Sequence, residues 1–366
     1  MATTSFGVND TLTVKAWAKE LAHEAVKATE IYPLIGKSSN SVIQEKTEVK
    51  KGSGDRITCG LRMQLSGDGF TENETAEGNG ENLTTYSDNI LINELGHVVG
   101  VKSSNTIDQQ RVPFDLREEA KEGLVDWWAR RISISFFNQV CGNTATSGTN
   151  FPTSTKFTGL NSAVAPSSGR ILRVGGGATD EAGGSAGNTF SLSIIDSCAE
   201  LAKTGGTAGL PKIRPIKIDG GEHYVMYLHP TQVTSLRTST STGQWLDIQK
   251  AAMQGGEVSK NPIFTGALGM YNNVILRESE QIPRGVTTAG AALDNSRRAV
   301  FLGAQAAGIA FGQDSGENKY RWNEELYDHK RRLEVSAWSI WGCKKFVWNS
   351  SDFATIVVTS RAVDAA

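Results

Sequence analysis

The sequence predicts an α+β protein from which a two-stranded arm projects and in which one long helix organises the body. Three observations predict it. A polar tip from Ser66 to Asn82, with four glycines and four glutamates, separates two runs of strand-forming residues. A helical pattern runs from Pro113 to Cys141. Beyond residue 190, short apolar strands and helical patterns alternate along the chain.

From Thr13 to Ile31 the apolar residues Val14, Trp17, Leu21, Ala25 and Ala28 recur at helical spacing, and Tyr32-Pro33 ends the pattern. The segment RITCGLRMQL places Ile57, Cys59, Leu61, Met63 and Leu65 on one face of a strand. The tip that follows is too poor in apolar residues to fold alone. A second extended run, Leu83 to Val101, completes a long hairpin. Pro113 is suited to a helix start because its missing N–H is not needed there. Asp115, Glu118, Glu119 and Glu122 lie early in this helix and Arg130 and Arg131 late, the order the helix dipole favours. Its first half carries one apolar stripe, Leu116, Ala120 and Leu124. The second half is apolar on several faces, so one end is surface and the other buried. Ile132 to Phe136, ISISF, also alternates like a strand.

Gly142 to Asn188 reads as loops and short strands. A helix at Ser191 to Lys203 stops at Gly205-Gly206. Strands at Tyr224–Leu228, Val274–Leu276 and Ala299–Leu302 and helices at Thr231–Thr238 and Gln244–Met253 follow. In the tail, Leu333, Val335, Ala337 and Ser339 share a strand face, and Ala354 to Thr359 forms a last strand.

Composition excludes several classes. With 37 basic and 39 acidic residues the formal charge is −2, leaving no basic excess for sequence-reading contacts with nucleic acid. Cys59, Cys141, Cys198 and Cys343 lie far apart, without zinc-ligand spacing or a disulfide framework. The N-terminus lacks a basic start and apolar run, and Ala299 to Phe311 is too short to span a bilayer, so a reduced, soluble chain made in the cytosol is expected.

Catalytic templates fail on context. Gly36-Lys37-Ser38 lacks the earlier glycine of a phosphate loop, that position being Ile31. Gly183 to Gly187 spells G-x-S-x-G around Ser185, but no apolar strand precedes it as a nucleophile elbow requires. His23-Glu24 is followed by Lys27 where a second zinc-ligating histidine belongs. No catalytic residue, cofactor or metal is assigned. Architecture is the stronger signal. A two-stranded arm buries little against its own body and finds its missing contacts on a neighbouring subunit. Trp17, on the N-terminal helix, packs either on its own body or across to another copy.

Three passages then carry a resemblance. QQRVPFDLREEAKEGLVDWWARRISISFFNQVCG, Gln109 to Gly142, resembles the long-helix segment of tailed-bacteriophage major capsid proteins. The arm passage SVIQEKTEVKKGSGDRITCGLRMQLSGDG, Ser41 to Gly69, which departs from the family's Ile-Ile-Gln at Val42-Ile43-Gln44, and the closing SAWSIWGCKKFVWNSSDFATIVVTS, Ser336 to Ser360, are similar to the same family and occur in family order.

The resemblance implies the shell fold of tailed phages and herpesviruses. It implies an N-terminal arm (1–49), an extended loop (50–105), a peripheral domain (106–189) with its spine helix at 113–141, an axial domain (190–316), and C-terminal strands (317–366) returning to the peripheral domain. It further implies a structural protein, not an enzyme, that self-assembles into hexamers and pentamers of an icosahedral head around double-stranded DNA. Scaffolding, portal and cement proteins and non-specifically held DNA are the expected partners, with no membrane. Assembly in the host cytoplasm and residence in the virion follow. Candidate intersubunit contacts are Trp17, Arg56, Arg62, Glu118, Glu119 and Glu122. Some relatives of this fold join a loop lysine to a neighbour's asparagine. Here Lys50 and Lys51 lie at the loop base and the tip holds no lysine, so no such cross-link is expected. The competing readings are a serine hydrolase using Ser185, and a secreted fibre or adhesin subunit suggested by the Gly/Ser/Thr content and sequons such as Asn82-Leu83-Thr84.

Overall fold

A computed structural model describes residues 29–46, 54–62, 65, 67–82, 85–102, 106–113, 115–147, 155–174, 181, 187–206, 210–218, 220–238, 268–312 and 319–363. The expected N-terminal helix with Trp17, Ser185, and the helix at Gln244–Met253 lie outside the described residues.

In chain order, the first strands are β1 (Ile35–Gly36), β2 (Ile43–Lys46), β3 (Arg56–Arg62), β4 (Thr85–Leu91) and β5 (Asn93–Lys102). Next come helices α1 (Ile107–Arg111), α2 (Leu116–Val140) and α3 (Thr155–Thr158), then strand β6 (Ile171–Arg173) and helix α4 (Leu192–Thr204). Strands β7 (Ile216–Ile218) and β8 (Gly221–Leu228) precede helix α5 (Pro230–Thr238). The remaining strands are β9 (Gly269–Tyr271), β10 (Val274–Glu278), β11 (Arg284–Val286), β12 (Ala292–Leu302), β13 (Ala307–Phe311), β14 (Arg321–Tyr327), β15 (Arg332–Lys345), β16 (Val347–Trp348), β17 (Ser351–Asp352) and β18 (Thr355–Arg361).

Two large sheets result. In one, the order is β1-β2-β13-β15-β14, with β5 also paired to β15. In the other it is β6-β18-β12-β8-β10-β9, with β11 on β12 and β7 on β8. The long helix α2 packs on the first sheet, and one apolar core runs from Leu124, Trp128 and Phe136 of the helix through Ile43, Ile309 and Val335 to Val225, Val300 and Ile356 of the second sheet. Burial of this apolar surface is the dominant favourable term for folding.

The long helix begins later than expected. Asp115, not Pro113, ends the preceding chain: its carboxylate accepts a hydrogen bond from the Arg117 N–H at 2.9 Å and caps the helix. Ile132–Phe136 is helical despite its alternation, because every residue from Ile132 to Val140 is buried and a fully buried helix has no polar face to impose its period. The first half shows the expected single stripe, with Glu118, Glu119, Glu122, Asp126 and Arg130 exposed. Helix α4 ends as expected on Gly205, whose φ of 79° is left-handed.

The second arm strand differs from the expectation of one run to Val101. It breaks at Ile92: β4 pairs with β3 in a separate two-stranded ribbon, and β5 turns into the first sheet, antiparallel to β15 over ten register pairs from Asn93↔Trp341 to Lys102↔Arg332. Residues 67–82 form the exposed ribbon tip, without helix or strand.

Candidate intersubunit interface

The ribbon is free at its tip and bolted at its base. Its inward face, Ile57, Cys59 and Ile90, joins Ile92, Ala310 and Phe346 in a small apolar cluster apart from the main core. Asn161 acts as a surrogate strand: its Oδ1 accepts from the Leu91 N–H at 2.9 Å and its Nδ2 donates to the Leu91 carbonyl at 2.7 Å. Gln139 Nε2, on α2, donates to the Asn161 carbonyl at 2.6 Å, so the helix, the loop and the ribbon are joined in series. Asp88 of β4 accepts from Lys344 Nζ through one oxygen and from the Val347 N–H at 3.0 Å through the other. Gly342 permits this closeness: a Cβ there would stand 2.1 Å from the Leu91 carbonyl oxygen.

The long helix is held at both ends. At its start, Arg117 reaches across to Glu324 of β14 with Nε 3.0 Å from Oε1 and 3.2 Å from Oε2 and Nη2 2.7 Å from Oε1, and Trp322 Nε1 donates to the same carboxylate at 2.8 Å. Glu324 is buried while the Arg117 side chain stays 35% exposed, so the carboxylate end of this bidentate, charge-assisted fork is shielded from water. At its end, Arg298 of β12 donates to the carbonyls of Cys141 (3.2 Å) and Gly142, where the helix dipole is negative. Glu181 neutralises that guanidinium: both carboxylate oxygens lie 3.1 Å from Arg298 Nε, and one also accepts from the Val286 N–H at 2.9 Å. Arg298 and Glu181 are 4% and 3% exposed, so every charge in the clamp is compensated inside the protein. A second buried pair, Lys345 Nζ to Asp352 Oδ1 at 2.8 Å, sits beside it, and burial pushes the Lys345 amine below its ordinary range while Asp352 pulls it back.

Where α2 meets β5, His97 stacks on Trp127 with centroids 4.5 Å apart and planes 8° from parallel, and the Arg131 guanidinium lies 4.7 Å over Trp127 and 3.9 Å over Phe157. Burial and the Arg131 charge both push the His97 imidazole below its usual range. Trp128 is fully buried in the core, so the tryptophan pair divides into one packing residue and one half-buried residue.

Of the candidate contact residues, Glu118, Glu119 and Glu122 stand together as one exposed acidic face on α2, and Arg56 is exposed on β3. Arg62 lies on β3, its side chain outside the described residues, and Trp17 is outside them altogether. Among the described residues no ion pair joins Arg56 to the three glutamates within the chain. Sequence reasoning missed the inner residues, Asn161, Asp88, Arg298 and Glu181. Their partners are remote in sequence, and no local pattern marks them.

No group of three or more histidine, cysteine, aspartate or glutamate residues among the described residues could hold a metal ion. No described helix is long and apolar enough to cross a membrane.

A family model for phage capsid protein matches residues 5–364. The major capsid protein of Pseudomonas phage KPP25 is 26% identical over 371 residues, covering 93% of each chain. Among solved structures, the capsid of Ralstonia phage GP4 is 32% identical and superposes with a TM-score of 0.81 over 100% of both chains. The capsid of cyanophage Pam1, at 22% identity and a TM-score of 0.68 over 93% of this chain and 94% of that one, shares the fold. The ribbon, the long helix and the two sheets are the parts of a shell subunit, and the chain belongs to the phage capsid protein family, serving as a major capsid protein of the virion.

Proposed function

We propose that this subunit closes an icosahedral head of hexamers and pentamers around double-stranded phage DNA by laying its ribbon over neighbouring copies. One observation carries the reading: the ribbon is fixed at its base by Asn161 and Asp88 while residues 67–82 lie exposed, away from the subunit's own core. A ribbon so mounted supports contact with another molecule better than contact with itself. Repeated standard-sized contacts, each weak, sum to a stable closed shell.

The division into arm (1–49), extended loop (50–105), peripheral domain (106–189), axial domain (190–316) and returning C-terminal strands (317–366) belongs to this reading. The interface it implies pairs Arg56 and Arg62 of one copy with Glu118, Glu119 and Glu122 of the next, and places Trp17 against a sister molecule. Packaged DNA is enclosed without sequence-reading contacts, since a net charge of −2 leaves no basic excess for them. Scaffolding, portal and cement proteins are the remaining partners, and assembly takes place in the host cytoplasm. The role is structural, without turnover.

Sedimentation and negative-stain imaging test this on the chain expressed alone and with its neighbouring reading frames. Capsomers or shells are expected. A compact monomer under all conditions, with the ribbon protected against its own body, overturns the proposal.

A further inference from the structure

The ribbon tip carries a chemical feature that shell building does not use. Asn79 is the chain's one asparagine followed by glycine, and it sits in the exposed segment 67–82. We propose that Asn79 is a site of spontaneous deamidation, the modification that converts an asparagine side chain to aspartate or isoaspartate through a cyclic imide.

The chemistry needs the backbone nitrogen of the next residue to reach the side-chain Cγ. At Gly80 nothing stands in its way: a Cβ built there would meet no atom within 4 Å, and glycine itself carries none, so the local dihedrals can swing to the attack geometry. What holds Asn79 is slight. Its N–H donates to the Ala76 carbonyl at 3.3 Å and its Nδ2 to the Thr75 carbonyl at 3.0 Å, both exposed bonds within one short turn. Local opening of such a segment costs little, because no apolar contact or strand pairing is lost. The asparagines in the chain's tight turns are held differently. Asn272 and Asn273, with φ of 47° and 61°, lie between paired strands β9 and β10, where opening would break the sheet.

The step balances with water alone. Hydroxide takes the Gly80 amide proton, the nitrogen bonds to Asn79 Cγ, and the Cγ–Nδ2 bond breaks as ammonia leaves. One water then opens the imide at either carbonyl. The direct product adds a sixth negative charge to a tip that already holds Asp68, Glu72, Glu74, Glu77 and Glu81. The iso product also inserts a methylene into the main chain. The tip would thus become more acidic as the protein ages.

The test is site-localised mass spectrometry of the purified full chain, aged at mildly alkaline pH and compared with a mildly acidic control. Conversion at Asn79 is expected to outpace that at the equally exposed Asn73 and Asn82 many-fold, to rise with hydroxide, and to yield isoaspartate that an isoaspartyl methyltransferase labels. Asn79→Gln should abolish the signal and Gly80→Ala should slow it several-fold. Both changes fall on the exposed tip and leave folding intact. Conversion at Asn79 no faster than at Asn73 and Asn82, or a rate indifferent to Gly80→Ala, overturns the proposal.

Discussion

Replacing Asn161 with alanine isolates the mounting of the ribbon from the stability of the body. The change removes the two hydrogen bonds between the Asn161 amide and Leu91, at 2.9 and 2.7 Å, and leaves the Leu91 N–H and carbonyl half-buried without their partners. An unsatisfied buried group costs about 1–3 kcal/mol, and solvent reaches part of this site, so the pair amounts to roughly 2 kcal/mol of local stability. Every 1.4 kcal/mol is tenfold in an equilibrium, so amide exchange at Leu91 should accelerate about 30-fold. Exchange in α2 and β12 should stay near its original rate, because Gln139 reaches the backbone carbonyl of residue 161 and keeps its bond. Asn161→Asp, which retains the acceptor, should fall between. Hydrogen exchange read by mass spectrometry distinguishes the cases. Unchanged exchange at Leu91 together with a lower melting temperature would refute the view that Asn161 serves the ribbon rather than the core.

Glu181→Ala leaves the Arg298 guanidinium buried without its counter-charge and should cost about 3–5 kcal/mol in urea denaturation, the usual penalty for breaking one side of a buried pair. Burial pushes the thiols of Cys141, Cys198 and Cys343 up to about 12. Folding therefore favours their neutral form: below pH 9 both states hold the protons and the thiols impose no pH dependence. Between about pH 9 and 12 the unfolded chain loses them first, and stability should fall by up to about 1.4 kcal/mol per pH unit per thiol in alkaline denaturation curves. Charge reversal of Glu118, Glu119 and Glu122 together should block assembly seen by light scattering while leaving the subunit's denaturation midpoint within about 0.5 kcal/mol, although any single reversal, worth about 0–1 kcal/mol, should be nearly silent. Denaturing gels of mature particles should show the 39.3 kDa chain and no ladder of multiples, since the tip offers no lysine to cross-link.

Much of this fold is legible in the sequence because its elements announce themselves locally. Alternation at Ile57 and Cys59 and along Leu333–Ser339 marks strands half-buried on one face, and the spacing of Leu116, Ala120 and Leu124 with acidic residues in the first turn marks the helix. Its last turn, however, carries no basic residue, and Arg130 and Arg131 lie well before its end. The break at Ile92 is not legible. No glycine or proline stands between Thr85 and Leu95 to mark a break, and only the tertiary pairing to β15 divides the two strands. The interface candidates follow from exposure on the expected elements, which residue type and period convey. The anchors behind them do not, since Arg298 and Glu181 are 117 residues apart and charged side chains are ordinarily read as solvated. Arg117 illustrates the same limit: in sequence it is one more charge on an exposed helical turn, yet it folds inward to Glu324.

The turn of the chain at Ile92 also decides how the subunit carries load. A pull arriving lengthwise on β5 meets β15 in shear, so the ten rungs from Asn93↔Trp341 to Lys102↔Arg332 resist together instead of unzipping one at a time. Tension taken up by the ribbon in that direction is thereby spread along the paired residues of β15 and into β13 and β14 on the same sheet.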